Sequence, residues 1–230
     1  MRTNLSIYAL LVVVVAVASS GCDTIKEIGN APPPEVPPTP SEIARTVLDE
    51  AKMSGPLPAK GTRLSKNERK ATLAVLRRAH TKYSAIPDPE TTKDPHFNED
   101  VLNILDSTVD IRMDTARKAK RWKHVLLYAD AHLIFHPNSD RYKVPREMAE
   151  VELSKPEVSI RALFEDDNIQ VAILDFHIPL TDETFKSLEL EMGDALHGMR
   201  FLEVIGLDRG VRMLNEESKE IVNVYFPRSL

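Results

Sequence analysis

The chain is poor in several features that point to familiar classes of protein. It has one cysteine in 230 residues, so it cannot form an internal disulfide. Acidic side chains outnumber basic ones by 35 to 30, which argues against nucleic acid as the main partner, because phosphate binding needs a basic excess on some face. It contains neither a glycine-rich phosphate loop nor a Gly-x-Ser-x-Gly elbow, and no nucleophile stands out. The sequence therefore predicts a protein that is not an enzyme, carries no cofactor and takes no small-molecule substrate.

Long apolar runs are also scarce, and the main one lies near the N-terminus, from Ile7 to Ala18. About 20 apolar residues are needed to cross the hydrocarbon core of a bilayer, and this run is shorter. It follows a single positive charge at Arg2, and small residues at 19–21 come directly after it. That order predicts a cleaved secretory signal rather than a membrane-spanning helix.

Residues 18–22 read Ala-Ser-Ser-Gly-Cys and resemble the lipobox of bacterial lipoproteins. The resemblance implies that residues 1–21 are removed and that Cys22 becomes the lipid-attachment residue; the alternative is ordinary cleavage nearby, leaving a free thiol. Residues 22–38 are rich in proline and predict an extended, semi-rigid tether. Asp23 resembles the signal that retains lipoproteins in the inner membrane. The predicted location is the bacterial cell envelope, with the lipid anchor on the periplasmic face of the inner membrane.

Helical signals dominate from Thr39 to about Phe135. Thr-Pro-Ser-Glu from Thr39 and Ser-Lys-Asn-Glu from Ser65 are capping boxes, each of which predicts the start of a helix. A third apolar pattern of helical period begins at about Asn98 and continues to Phe135, with or without a break. We therefore predict a small helical domain over residues 39–153.

From Val158 onward the apolar period changes from the helical one to two. Six short segments of this kind, separated by glycine-containing or polar loops, predict about six strands within residues 154–230. Short strands with local connections favour a small antiparallel β-barrel or sandwich. The predicted fold class is α+β, with the helical block first and the β domain second.

The C-terminal segments KPEVSIRALFEDDNIQVAILDF, LELEMGDALHGMRFLEVIGLDRGVRMLN and KEIVNVYF resemble the periplasmic homology region shared by the type II secretion component GspC and the type IV pilus lipoprotein PilP. The match covers about a third of the chain, and the turn residues of the family pattern correspond to Gly193, Asp194, Gly198 and Asp208. The resemblance implies a structural connector held at the membrane by its lipid. The β domain would dock on the periplasmic domains of a secretin, and the upstream region would bind inner-membrane assembly proteins.

Three histidines, His124, His132 and His136, lie in one predicted helical stretch. His132 and His136 are four residues apart, which allows two imidazoles to share a metal ion. No glutamate follows the first histidine, as a hydrolytic zinc motif requires, so surface or helix-end histidines are favoured and these two are only weak metal candidates. The alternative function is a tethered periplasmic metal-binding protein or hydrolase that uses the helical block.

Two charged segments each allow a second interpretation. The run RKAKRWKH at 117–124 could meet anionic lipid or an acidic partner, but a solvated helix face with Trp122 in the core is favoured. The acids at 165–167 could bind calcium, but three consecutive acids at a strand end cannot all face one ion, and a β-turn accounts for them.

Overall fold

The computed structural model describes residues 37–57, 64–85 and 94–227. Five helices come first and seven strands follow. The helices are α1 (Pro40–Glu50), α2 (Lys66–Tyr83), α3 (Phe97–Lys118), α4 (Trp122–Phe135) and α5 (Lys143–Ser154). The strands are β1 (Glu157–Asp166), β2 (Ile169–Ile178), β3 (Glu183–Glu191), β4 (Ala195–Leu196), β5 (Met199–Gly206), β6 (Gly210–Asn215) and β7 (Ile221–Tyr225). The α+β class and the order of its two parts are confirmed.

Both predicted capping boxes are present. The Thr39 backbone N–H donates to Glu42 Oε2 at 2.8 Å, and the Glu42 N–H donates to Thr39 Oγ1 at 3.3 Å. Ser65 and Glu68 repeat the arrangement at the start of α2, at 2.9 and 3.2 Å. Because these bonds satisfy backbone N–H groups that have no partner within the helix, they fix where α1 and α2 begin.

The long pattern ending at Phe135 is broken into two antiparallel helices. The chain reverses at Ala119–Arg121, where Lys120 has a φ of 53° and the Arg121 N–H donates to the Ala116 carbonyl at 2.9 Å. This reversal lets α4 pack against α3. The helical core is formed largely by fully buried aliphatic side chains of the two helices, including Val101, Leu105, Val109, Met113 and Val125.

The helix α5 was not identified as a separate element in the sequence. It buries only Ala149 and Leu153, whereas Val144, Met148 and Val151 are more than half exposed. Val144, Met148 and Val151 recur at helical spacing but lie on an exposed face, and only the narrow stripe of Ala149 and Leu153 faces the core.

The strands form two antiparallel sheets, one in the order β1-β2-β3 and the other in the order β4-β5-β6-β7. Their buried faces share one core, with Leu174 and Phe176 from the first sheet and Phe201, Val211 and Met213 from the second. Of the two predicted alternatives, the structure shows the sandwich. No hydrogen-bonded ladder in the described part of the chain joins β1 to β7, as a closed barrel would require. The seventh strand, beyond the six expected, is the two-residue β4.

Tight turns connect several of the strands. Asp167 and Asn168 lie between β1 and β2 with φ of 48° and 67°, and His197 and Gly198 lie between β4 and β5 with φ of 50° and 75°. Two consecutive residues of positive φ are characteristic of the hairpin turn that matches the twist of antiparallel strands. The turn interpretation of the acids at 165–167 is therefore consistent with the backbone.

The helical and strand parts have separate hydrophobic cores but belong to one compact unit that begins at Thr39. The loop between β2 and β3 contacts the helices. The Leu180 N–H donates to the Leu153 carbonyl at 2.9 Å, and the Asp182 carboxylate accepts from the Lys66 backbone N–H at 3.1 Å and from the Lys123 ammonium. A domain boundary at 153/154 stays a prediction, and the predicted signal (1–21) and nearly all of the tether lie outside the described residues.

Candidate functional site

The two metal candidates, His132 and His136, lie at the end of α4 and face the same carboxylate. Asp106, on the neighbouring helix α3, has one oxygen 3.3 Å from His132 Nδ1 and the other 2.8 Å from His136 Nε2. His132 is almost fully buried, Asp106 is about one quarter exposed and His136 about half exposed. The structure thus brings together two imidazoles and one carboxylate, with one ligand atom of each within 4.8 Å of the others.

Further polar groups surround this cluster. Asp110, one turn after Asp106 on α3, has an oxygen 3.6 Å from His132 Nδ1. The same carboxylate pairs with the Arg141 guanidinium at 2.5 Å and accepts from the Tyr142 hydroxyl at 2.9 Å. Burial, followed by this hydrogen bond to Asp110, raises the pKa of Tyr142 to about 12. Tyr142 is therefore a fixed hydrogen-bond donor at neutral pH, and Asp110 is held by neighbours other than the histidines.

The other nitrogen of His132 faces the loop after α4. His132 Nε2 is 3.1 Å from the Ser139 hydroxyl oxygen, which also accepts the Arg141 backbone N–H at 3.2 Å. A cleft of about 350 Å³ opens beside this contact and is lined in part by His132, Ser139, Tyr142 and Arg146. Both nitrogens of the buried imidazole are therefore engaged, one by carboxylates and one by a hydroxyl.

Sequence reasoning found the histidines and missed Asp106. It precedes His132 by 26 residues on a different helix, so no local spacing connects them. A signal did exist, because Asp106 and Asp110 are one turn apart in a helix that the sequence predicted, as are His132 and His136. To predict that the acidic face of α3 meets the histidines of α4, one must know at which residues the chain turns between the two helices.

His124, the third histidine of the predicted stretch, is not part of the cluster. It lies in the first turn of α4 and is 7% exposed. Burial of the imidazole, together with the nearby Arg121 charge, lowers the pKa of His124. This histidine is thus a neutral side chain at the edge of the helical core at neutral pH.

The basic run at 117–124 does not form one helix face, because the turn between α3 and α4 divides it. Trp122 is half-buried and packs against the helical core, whereas the favoured interpretation placed it within that core. Lys123 is bound to Asp182. A cleft of about 560 Å³ separates this region from the strands and is lined in part by Lys120, Arg121, Lys155 and His177.

The predicted turn residues of the β domain occupy turns. Gly193 has a φ of 99° and Gly198 a φ of 75°, a backbone region that favours glycine. An Asp194 side-chain oxygen accepts the Glu191 backbone N–H at 3.0 Å, as expected for an aspartate that bonds the turn backbone. Asp208 lies in the turn between β5 and β6. These four residues shape the hairpins around β4 and β5.

The last strand, β7, lies at an edge of its sheet. Its large apolar side chains Ile221, Val222 and Tyr225 are 61%, 39% and 58% exposed. A cleft of about 380 Å³ lies between β7 and the start of β1 and is lined in part by Pro156 and Val158. The outer edge of β7 thus pairs with no strand in the described part of the chain, although the start of β1 packs beside it, and the strand exposes apolar side chains.

Cys22, the predicted lipid-attachment residue, lies outside the described residues. None of the helices in the described ranges has the length and apolar character needed to cross a bilayer. Comparisons of the chain with protein-family models, with curated proteins and with solved structures found no match.

Proposed function

We propose that the protein is a structural connector of the bacterial cell envelope, anchored through Cys22 and acting by protein contacts in an assembly of the type IV pilus or type II secretion kind. The β domain docks on the periplasmic part of a secretin, and the helical block binds inner-membrane assembly proteins. The observation that carries the proposal is the open edge of β7. Support also comes from the resemblance to the lipobox, the proline-rich tether and the resemblance of the strands to the PilP and GspC region.

The direction of the backbone groups of β7 follows from its pairing with β6. The Asn215 N–H donates to the Glu220 carbonyl at 2.8 Å, and the Phe226 N–H donates to the Arg209 carbonyl at 3.1 Å. Because hydrogen-bonding direction alternates along an antiparallel strand, the even-numbered residues between them face β6. The N–H and C=O groups of Ile221, Asn223 and Tyr225 therefore point to the open edge.

Such an edge suits the addition of a partner strand. In this mode of recognition, main-chain hydrogen bonds supply affinity and alternate side chains supply specificity. Natural edge strands are usually protected by charge, proline or a covering element, because an open apolar edge promotes association. Ile221 and Tyr225 of β7 are exposed, and Tyr225 also lines the adjoining cleft. A connector that binds by strand addition makes use of these features.

The test is co-purification of the tagged full chain from detergent-solubilised membranes, with identification of the accompanying proteins. The decisive variant is Asn223→Pro, which removes an outward N–H without removing a bond to β6, a position that edge strands tolerate. We expect secretin and assembly proteins with the wild type and loss of the secretin with Asn223→Pro.

The matched control is Asn223→Ala, which removes the long 3.4 Å side-chain contact with Arg212 and keeps the backbone N–H. It should retain the secretin. Ile221→Lys should weaken the interaction, whereas Ile111→Lys, at an equally exposed apolar residue of α3, should not. Recovery of the protein without a secretin, or equal recovery with both Asn223 variants, contradicts docking at this edge.

A further inference from the structure

We propose that Asp106, His132 and His136 form a binding site for a divalent transition metal ion of the zinc type. The proposal is independent of the edge of β7, since it concerns the far end of the α3–α4 pair. The ligand set is the one such ions prefer, namely imidazole nitrogen and carboxylate oxygen.

The geometry places one ligand atom from each of the three residues within 4.8 Å of the others, so a modest approach brings them to the separations of a bound ion. Bonds of about 2.0–2.2 Å in a tetrahedral site put neighbouring ligand atoms about 3.3 Å apart. The two Asp106 oxygens are divided between the histidines, with Oδ1 3.3 Å from His132 Nδ1 and Oδ2 2.8 Å from His136 Nε2. The remaining adjustment falls on His136, whose side chain is 48% exposed and can move without disturbing the core.

The surroundings of His132 are those of a metal-bound histidine. A ligating imidazole usually donates the N–H of its other nitrogen to an oxygen, which fixes its tautomer and ring orientation. Ser139 Oγ lies 3.1 Å from Nε2 of His132 and is itself held by the Arg141 backbone N–H. In that tautomer Nδ1 carries no proton and faces the carboxylates, as a metal ligand must.

The charge of the site also favours a cation. When both imidazoles are neutral, the Asp106 and Asp110 carboxylates face one guanidinium, that of Arg141. Arg141 pairs with Asp110, so the Asp106 charge is directed at the two histidines. The two carboxylates and the guanidinium together carry a net charge of −1, which attracts a cation. With Asp106, His132 and His136 as its three protein ligands, the ion keeps a fourth position for water on the side of the half-exposed His136.

The same atoms could instead form an ion pair between protonated histidines and Asp106. The two arrangements differ in their response to zinc, because a metal site binds the ion and is stabilised by it, whereas an ion pair is not. The measurement is zinc uptake by the untagged full-length chain in detergent after removal of metals by a chelator. We expect one zinc per chain and, at zinc 100-fold above its dissociation constant, a rise in Tm of roughly 5–10 °C. Cobalt(II) should give the visible absorption of a tetrahedral site, and magnesium should give no shift.

The variants Asp106→Asn and His136→Gln each remove a direct ligand and should weaken zinc binding by more than about 100-fold. Ser139→Ala removes only the hydrogen bond to a ligand and should cost about 10–100-fold. The matched control is His96→Ala, since His96 is also 3.3 Å from a carboxylate, that of Glu99, but has no second histidine in the pair. Absence of stoichiometric zinc from the wild type, or equal zinc affinity in wild type and His136→Gln, overturns the proposal. Because His136 is half exposed, His136→Gln should fold normally, which circular dichroism checks.

Discussion

Replacing Asp175 with alanine is expected to destabilise the β1-β2-β3 sheet, because this side chain holds an irregularity in each neighbouring strand. Arg161 is the extra residue of a bulge in β1, and its Nε donates to Asp175 Oδ2 at 2.7 Å. On the other side, Ser187 has a φ of 54° and its N–H donates to Asp175 Oδ1 at 2.8 Å. One carboxylate at the centre of the sheet thus satisfies donors from both flanking strands.

The expected cost is about 2–3 kcal/mol for Asp175→Ala. Asp175 is 8% exposed but Ser187 is exposed, so the loss is that of a part-buried hydrogen bond to a charged acceptor, about 1.5–3 kcal/mol. The Arg161 side chain is 56% exposed, so its loss of a charged partner adds no more than about 1 kcal/mol. Asp175→Asn keeps an acceptor for Ser187 and should cost about 1 kcal/mol.

Urea unfolding followed by far-UV circular dichroism measures these differences. The control is Glu189→Ala on the exposed face of β3, which should change the unfolding free energy by no more than about 0.5 kcal/mol. Equal effects of Asp175→Ala and Glu189→Ala would refute the bridging role. The bond from Ser187, and then Arg161, lower the pKa of Asp175, so its contribution is present above pH 4 and is lost as pH falls through the lowered native pKa. The gap between wild type and Asp175→Asn should therefore narrow in acid.

Two further predictions concern other parts of the chain. A Cβ at Gly210 would lie 2.1 Å from the Val224 carbonyl oxygen, so Gly210→Ala should push β7 away from β6. In a thermal melt this variant should lower Tm by several degrees. The control is Gly55→Ala, which should leave Tm unchanged because a Cβ there would have no atom within 4 Å. Burial and the nearby Arg121 charge lower the pKa of His124, so as the pH falls the unfolded chain takes up a proton before the native chain does. The free energy of unfolding should therefore decrease below about pH 6.5, by up to about 1.4 kcal/mol per pH unit. This slope should be smaller in His124→Leu, and urea unfolding at several pH values between 7 and 5 measures it.

Local patterns allowed much of the fold to be predicted. The capping boxes at Thr39 and Ser65 each involve residues three apart, and the turn glycines Gly193 and Gly198 express a backbone requirement of the residue itself. These features depend on the nearest turn of chain, so they can be read before the tertiary structure is known. The α+β order followed from the change of apolar period, which is also local.

Features formed between distant segments could not be predicted in the same way. Asp106 meets His132 only because α3 reverses at residues 119–121, and the choice between a sandwich and a closed barrel depends on whether β1 pairs with β7. Neither contact leaves a spacing in the sequence. The helix α5 was missed for a different reason, because the helical pattern was followed only to Phe135, although Val144, Met148 and Val151 recur at helical spacing beyond it.

The contacts of the β2–β3 loop have a mechanical consequence. The chain passes from the helices to the strands once, after Ser154. If this covalent link were the only connection, the strands could rotate about it relative to the helices. Leu180 bonds to Leu153 next to that crossing, and Asp182 is held by Lys66 and Lys123 from two helices. Two attachments at separate positions prevent the rotation between helices and strands that a single attachment would allow. A force applied to the chain at Thr39 would therefore rotate the helices and the strands as one body. The edge of β7 would keep a fixed orientation relative to Thr39.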